Sequence, residues 1–107
     1  MERTQNVMVR QTVQTVNAYE VMFITKPFED DTAESVINKY EKLLADNNGV
    51  VERTDRWGKR CLAYEIQDLN EGIYVLMTFN AVAETVKELD RVMKIDENIL
   101  RHMIIRK

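Results

Sequence analysis

The sequence predicts an α+β fold of the ferredoxin-like split β-α-β type (βαββαβ), with two helices on one face of a four-stranded antiparallel sheet. Two observations predict this fold. Apolar residues alternate with period two in some stretches and recur with helical spacing in others, and these stretches follow the order strand, helix, strand, strand, helix, strand. The length of 107 residues and the 45% hydrophobic share fit one domain with one core.

The first strand and the first helix differ in their hydrophobic period. Strand-like alternation covers residues 19–24, and Pro27 closes it. Asp31 followed by Glu34 resembles a capping box, and apolar residues then recur at helical spacing. We therefore expect a helix over roughly residues 32–47, ended by an Asn-Asn-Gly sequence.

A long extended segment over residues 50–67 forms the second strand. Gly58 interrupts it, and an isolated glycine in a strand pattern indicates a bulge or a sharp bend. Turn chemistry then comes from Asp68, Asn70 and Gly72. We therefore expect a hairpin with a third strand at residues 73–79, a second amphipathic helix near residues 82–93 and a last strand over residues 99–106.

The predicted fold leaves one face of the sheet without helices. The strand residues expected beneath the helices are Val21, Phe23, Ile73, Val75, Met77 and Phe79. Alternation then places Met22, Ile24, Tyr74 and Leu76 on the open face. An exposed apolar patch usually marks a partner surface, so these four residues are candidate partner contacts. The alternative is that loops or residues 1–17 fold over them.

Two clusters of cations stand out on a chain whose formal net charge is -3. They are Arg53, Arg56, Lys59 and Arg60, and then Arg101, His102, Arg106 and Lys107. The net charge argues mildly against a general nucleic-acid binder, so any RNA contact must be local. Trp57 adds an aromatic face that can stack on an unpaired base. The alternative is that Trp57 anchors the core and the cations only solvate an edge strand.

The sequence offers little for other chemistry. Cys61 has no second cysteine to pair with, and with the lone His102 it cannot complete a four-ligand zinc site, so we expect no disulfide, metal or cofactor. The acids at residues 29–31 favour a helix start over a cation site. Residues 1–17 show no sustained period, and we expect a flexible N-terminal extension, with a transit peptide as the alternative. The apolar runs are too short to cross a bilayer.

Four segments are distinctive when taken together with their spacing. They are residues 18–21 (AYEV), 55–64 (DRWGKRCLAY), 72–77 (GIYVLM) and 99–106 (ILRHMIIR). In these segments the chain resembles the bacterial-type small-subunit ribosomal protein six family, over essentially residues 18–107 as one domain. It departs from the family pattern at Glu65, where relatives usually have proline, and in the length of residues 1–17.

The resemblance implies a cytoplasmic protein of the small ribosomal subunit that supports translation. It implies contact with the central domain of small-subunit ribosomal RNA and a heterodimer with small-subunit protein eighteen, without catalysis, a membrane or a small-molecule substrate. Family members are often acidic, so the net charge is no objection. Together with the cation clusters, the resemblance gives these candidate RNA contacts: Tyr19, Arg56, Trp57, Lys59, Arg60, Arg101, Arg106 and Lys107.

The fold alone does not decide the function, because ferredoxin-like domains include enzymes, metal carriers and RNA readers. An acylphosphatase needs a phosphate-cradling loop after the first strand, where residues 26–30 supply proline and acids. A copper carrier needs paired thiols, and an RNA-recognition motif would need more than the fragments kept in residues 71–75. The remaining alternative is a non-ribosomal protein-binding module that uses the open apolar face.

Overall fold

The computed structural model describes residues 15–27 and 30–107. Its elements are β1 (Asn17–Thr25), α1 (Asp30–Asp46), β2 (Val50–Ile66), β3 (Leu69–Ala81), α2 (Ala83–Ile95) and β4 (Ile99–Arg106). This order confirms the predicted fold class. The predicted extension, residues 1–17, lies largely outside the described residues, although Asn17 already belongs to β1. Of the acids expected at the helix start, Glu29 lies outside the described residues, and the side chains of Asp30 and Asp31 are not described.

The four strands form one antiparallel sheet in the order β2-β3-β1-β4, so β1 and β3 are central. The register fixes which side chains share a face. Val21 lies opposite Met77 on β3 and Ile104 on β4, on the side that carries the helices. Met22 lies opposite Leu76 and Met103, on the open side.

The core lies between the sheet and the two helices. All six strand residues that alternation placed there are buried, which confirms that prediction: Val21, Phe23, Ile73, Val75, Met77 and Phe79. The helices contribute Ile37, Tyr40 and Leu44 from α1 and Leu89 and Met93 from α2. Each such side chain stabilises the fold by about 1.5–3 kcal/mol relative to an exposed position.

Helix α1 begins and ends slightly earlier than predicted. Its last turn closes where Asn48 adopts a left-handed φ of 66° and the Gly49 N–H donates to the Leu44 carbonyl oxygen at 2.6 Å. At its start, the helix already includes Asp30, so the predicted N-cap, Asp31, lies inside it. The Glu34 carboxylate accepts two hydrogen bonds from Arg56 on β2, at 2.5 and 3.0 Å.

The hairpin turn also differs from the prediction. Gln67 and Asp68 have left-handed φ values of 53° and 65° and make the turn, whereas Asn70 and Gly72 lie within β3. Gly72 is required for another reason. A Cβ there would lie 2.5 Å from Ile24 Cγ2, so glycine allows β3 to approach β1 closely.

Gly58 is the glycine whose predicted role is confirmed. The pairing of β2 with β3 shifts register between Arg56 and Gly58, and Gly58 has a φ of 86°. A bulge with a left-handed glycine gives the strand an extra residue, Trp57, at this point.

A polar contact connects α1 to the turn before β4. Asp96 accepts a hydrogen bond from the Tyr40 hydroxyl, one from Lys39 Nζ at 3.0 Å and one from the Asn98 backbone N–H at 2.9 Å. Burial alone would raise the pKa of Asp96, but these donors outweigh it and hold the pKa below its usual value. Burial and the adjacent carboxylate raise the pKa of Tyr40.

Candidate RNA and partner interface

Trp57, Tyr74 and Arg60 form a cluster on the open face of the hairpin, here called the hairpin cluster. The indole of Trp57 lies parallel to the Tyr74 ring, at 3° and with centroids 6.5 Å apart. The Arg60 guanidinium lies 5.4 Å from the centre of the Trp57 ring. Trp57 is 42% exposed, so it does not anchor the core. An exposed indole next to a cation can stack on an unpaired base while the cation contacts a phosphate.

The predicted β2 cations lie on both faces of the sheet. Arg60 pairs with Gly72 on the open side, whereas Lys59 pairs with Ile73 and Arg56 with Val75 on the helix side. Arg56 is occupied by its bidentate contact with Glu34, which raises the pKa of Arg56 and lowers that of Glu34. Arg60 and Lys59 therefore remain the more available cations.

Arg101 extends the cationic side of the open face onto β4. It lies opposite Ile24, and its Nη1 donates to the Tyr64 hydroxyl at 2.7 Å. The guanidinium is also 5.9 Å from the centre of the Tyr64 ring. Tyr64 is itself exposed, so Arg101 and Tyr64 present a second aromatic and cationic pair near the hairpin cluster.

The predicted partner surface is largely on the open face, with one correction. Met22, Tyr74 and Leu76 are half-buried there, but Ile24 is only 8% exposed. The end of the hairpin covers it, since a small cavity of about 100 Å³ is lined by Ile24 together with Leu62 and Ile66. Ile24 is therefore not available to a partner.

Two residues of the apolar surface were missed by the sequence analysis. Met103 is 57% exposed and Ile105 is 49% exposed, and both lie on the open side of the edge strand β4. Alternation within residues 99–106 carried the signal, but only the pairing of Met103 with Met22 shows which face they occupy. The apolar surface, called the open-face patch, consists of Met22, Tyr74, Leu76, Met103 and Ile105.

The remaining predicted RNA residues lie near the ends of β1 and β4. Tyr19 is buried and stacks on Phe79 at 5.7 Å, so its ring face is not free to take a base. Arg106 lies opposite Tyr19 and donates to Asn17 Oδ1 at 3.0 Å. The Nζ atom of Lys107 lies 4.0 Å from Oε2 of Glu20.

Other candidate chemistry can be placed briefly. His102 Nε2 lies 2.7 Å from Asp90 Oδ1, with its side chain 14% exposed, and Cys61 is exposed. Across residues 15–27 and 30–107, no three acidic, histidine or cysteine side chains are grouped closely enough to hold a metal ion. Neither described helix is long and apolar enough to cross a membrane.

Comparison with known families identifies the family of the chain. A family model described as Ribosomal protein S6 matches residues 18–106. The chain belongs to the ribosomal protein S6 family. The match covers all six secondary-structure elements and begins within β1, and it confirms the resemblance seen in the sequence segments.

Similar proteins come from several bacteria. The small ribosomal subunit protein bS6 of Carboxydothermus hydrogenoformans is 47% identical over 89 residues, which cover 82% of this chain and 93% of that protein. The bS6 of Desulforudis audaxviator is 49% identical over 89 residues, with 82% and 95% coverage. The crystal structure of 30S ribosomal protein S6 from Thermotoga maritima superposes with a TM-score of 0.82 at 27% identity, covering 87% of this chain and 89% of that one.

Proposed function

We propose that this S6-family chain is a structural component of the small subunit of the cytoplasmic ribosome and supports translation without catalysing a reaction. It binds the central domain of small-subunit ribosomal RNA together with small-subunit protein eighteen. The observation that carries this proposal is the joining of the hairpin cluster and the open-face patch on one sheet face, in a chain that belongs to this family.

The RNA part of the proposal rests on the cations that remain free to act. Arg60 lies against Trp57, and Arg101 against Tyr64, so both guanidinium groups have aromatic neighbours. Within the described residues neither of these arginines pairs with a carboxylate. A guanidinium beside an aromatic ring can bind an RNA phosphate, and the ring can stack on an unpaired base.

The partner part rests on the open-face patch. Met22, Leu76 and Met103 form one row across three adjacent strands. Among the described residues no layer covers this face, and methionines with apolar neighbours are typical of a protein-binding surface. Membership of the S6 family favours a ribosomal partner over the alternative of a non-ribosomal binding module.

Sedimentation of ribosomes tests the proposal in cells. A tagged copy of the chain should migrate with the small subunit and with whole ribosomes in a sucrose gradient, and it should stay there after a moderate salt wash. A tagged copy carrying Leu76→Asp and Arg60→Ala should shift toward the top of the gradient. Recovery of the unchanged chain only in the ribosome-free fractions would refute the proposal.

A further inference from the structure

A shallow cavity of about 430 Å³, largely open to solvent, lies between α2 and β4, on the helix side of the sheet and away from the hairpin cluster. Its apolar lining comes from Tyr19, Val86 and Ile104. Because the cavity is open, a ligand seated here would keep part of its surface in water. An apolar floor of this kind can hold the sugar or the base of a nucleotide.

The rim of the cavity is cationic, although the chain as a whole is acidic. Lys87 comes from α2 and Arg106 from the end of β4, so the two charges reach the cavity from different elements. Arg106 donates to Asn17, which is neutral, and within residues 15–27 and 30–107 Lys87 has no carboxylate at ion-pair distance. Within the part of the chain that the structure describes, neither cation is therefore held in an ion pair.

One acid, Asp90, also lines the cavity, but its charge is already balanced. Its Oδ1 lies 2.7 Å from His102 Nε2, and its Oδ2 lies 3.0 Å from Lys94 Nζ. These contacts hold the pKa of Asp90 below its usual value. The carboxylate thus fixes the His102 ring at the cavity wall, while Lys94 offsets its repulsion of an anion.

We propose that this cavity binds a nucleotide phosphate between Lys87 and Arg106, with the sugar or base against Val86 and Ile104. The nucleotide belongs either to RNA or to the free mononucleotide pool, and both supply the same chemistry. Where it belongs to RNA, the inference rests on the proposed function and adds a second contact on the opposite side of the sheet from Trp57.

Nuclear magnetic resonance on the full chain tests this directly. Uridine 5′-monophosphate and a single-stranded RNA hexamer should each be titrated while the signals of Val86, His102 and Ile104 are followed, with uridine as the phosphate-free control. We expect shifts with at least one phosphate-bearing probe and much weaker shifts with uridine. Shifts with the hexamer alone assign the site to RNA, and shifts with the mononucleotide alone assign it to free nucleotide.

Matched variants complete the test. Lys87→Met and Arg106→Gln should each weaken the binding roughly tenfold, because each removes a charged contact to the phosphate. Lys42→Met removes a helix lysine far from the cavity, which pairs with Asp46, and should leave binding unchanged. Equal shifts with uridine, no shifts with any probe, or undiminished binding by both cavity variants would overturn the proposal. Quenching of Trp57 by ribosomal RNA in those variants would show that the hairpin cluster still binds RNA.

Discussion

The rings of Trp57 and Tyr74 lie parallel across the β2–β3 hairpin, at 3° and 6.5 Å between centroids. Tyr74 belongs both to the hairpin cluster and to the open-face patch. RNA bound at Trp57 and a protein bound on the patch would therefore meet at Tyr74. This adjacency gives a physical reason for the two ligands to stabilise each other, since each extends the surface offered to the other.

Replacing Trp57 by alanine should weaken RNA binding with little effect on stability. Base stacking on an aromatic side chain contributes about 1–3 kcal/mol, and an indole that is 42% exposed contributes little to the core. Trp57 is also the chain's one tryptophan, so its fluorescence should be quenched when RNA binds. Trp57→Phe keeps an aromatic face and should retain most of the affinity. Full affinity in Trp57→Ala would contradict base stacking.

Replacing Lys59 and Arg60 together by alanine should lower the salt dependence of RNA binding. The slope of log affinity against log salt should fall by up to about two, one for each phosphate that these side chains no longer neutralise. Arg56→Ala is the matched control, because Arg56 is held by Glu34 and should contribute little to RNA binding. An equal effect of Arg56→Ala would mean that Lys59 and Arg60 act only through the general positive charge of this region.

Leu76→Asp should abolish binding of protein eighteen while the domain stays folded. Leu76 lies half-buried on the open face, so a carboxylate there still reaches water but disrupts an apolar interface. Its neighbour Met77 is fully buried on the other face, and Met77→Asp should unfold the domain. Circular dichroism and a pull-down with protein eighteen separate the two outcomes. An unfolded Leu76→Asp variant would instead make Leu76 part of the core.

Gly72→Ala should destabilise the domain although it adds only one methyl group. The new Cβ would lie 2.5 Å from Ile24 Cγ2 and 3.0 Å from the Thr25 carbonyl oxygen, so the Ile24 side chain or the backbone of the central strands must shift. Overpacking of this kind costs about 1–3 kcal/mol, measurable by urea denaturation. In a protein that already carries Ile24→Ala, the Gly72→Ala substitution should lower the stability by less, because the Ile24 Cγ2 atom is gone. If Gly72→Ala unfolded at the same urea concentration as the wild type, the close approach of β3 and β1 would be contradicted.

The domain should become less stable in acid, where Asp96 is protonated. Its pKa is depressed in the folded state, so its stabilising effect is present above the unfolded-state pKa and is lost as the pH falls through the folded-state pKa. At neutral pH, Asp96→Asn should lower the free energy of unfolding by about 1.5–3 kcal/mol. The reason is that the hydrogen bonds donated by Lys39 and Tyr40 would lose their charged acceptor. The difference from wild type should shrink as the pH falls through the folded-state pKa of Asp96. Asp46→Asn, at an exposed pair, should have little effect at either pH.

The order of the elements followed from local patterns, because alternation and helical spacing depend only on neighbouring residues. The structure differs from the predictions where a side chain contacts residues that are far away in the sequence. Asp31 and Glu34 had capping-box spacing, yet Glu34 bonds to Arg56 on β2. Asn70 and Gly72 had turn chemistry, but the turn formed at Gln67 and Asp68, and Gly72 serves the contact with Ile24.

The candidate site was predicted in composition more than in geometry. The sequence grouped Arg56, Lys59 and Arg60, but the bulge at Gly58 and the pairing of β2 divide these cations between the two faces. Burial of Tyr19 against Phe79 and exposure of Met103 depend on tertiary packing and on the register of an edge strand. No local pattern carries that information.

Binding of the purified chain to a central-domain ribosomal RNA fragment, with and without small-subunit protein eighteen and at two salt concentrations, tests the proposed function most directly. We expect tight binding only when protein eighteen is present, with an affinity that falls as salt increases. Equal binding without protein eighteen, or no binding under either condition, would contradict joint recognition of RNA and partner on the open face.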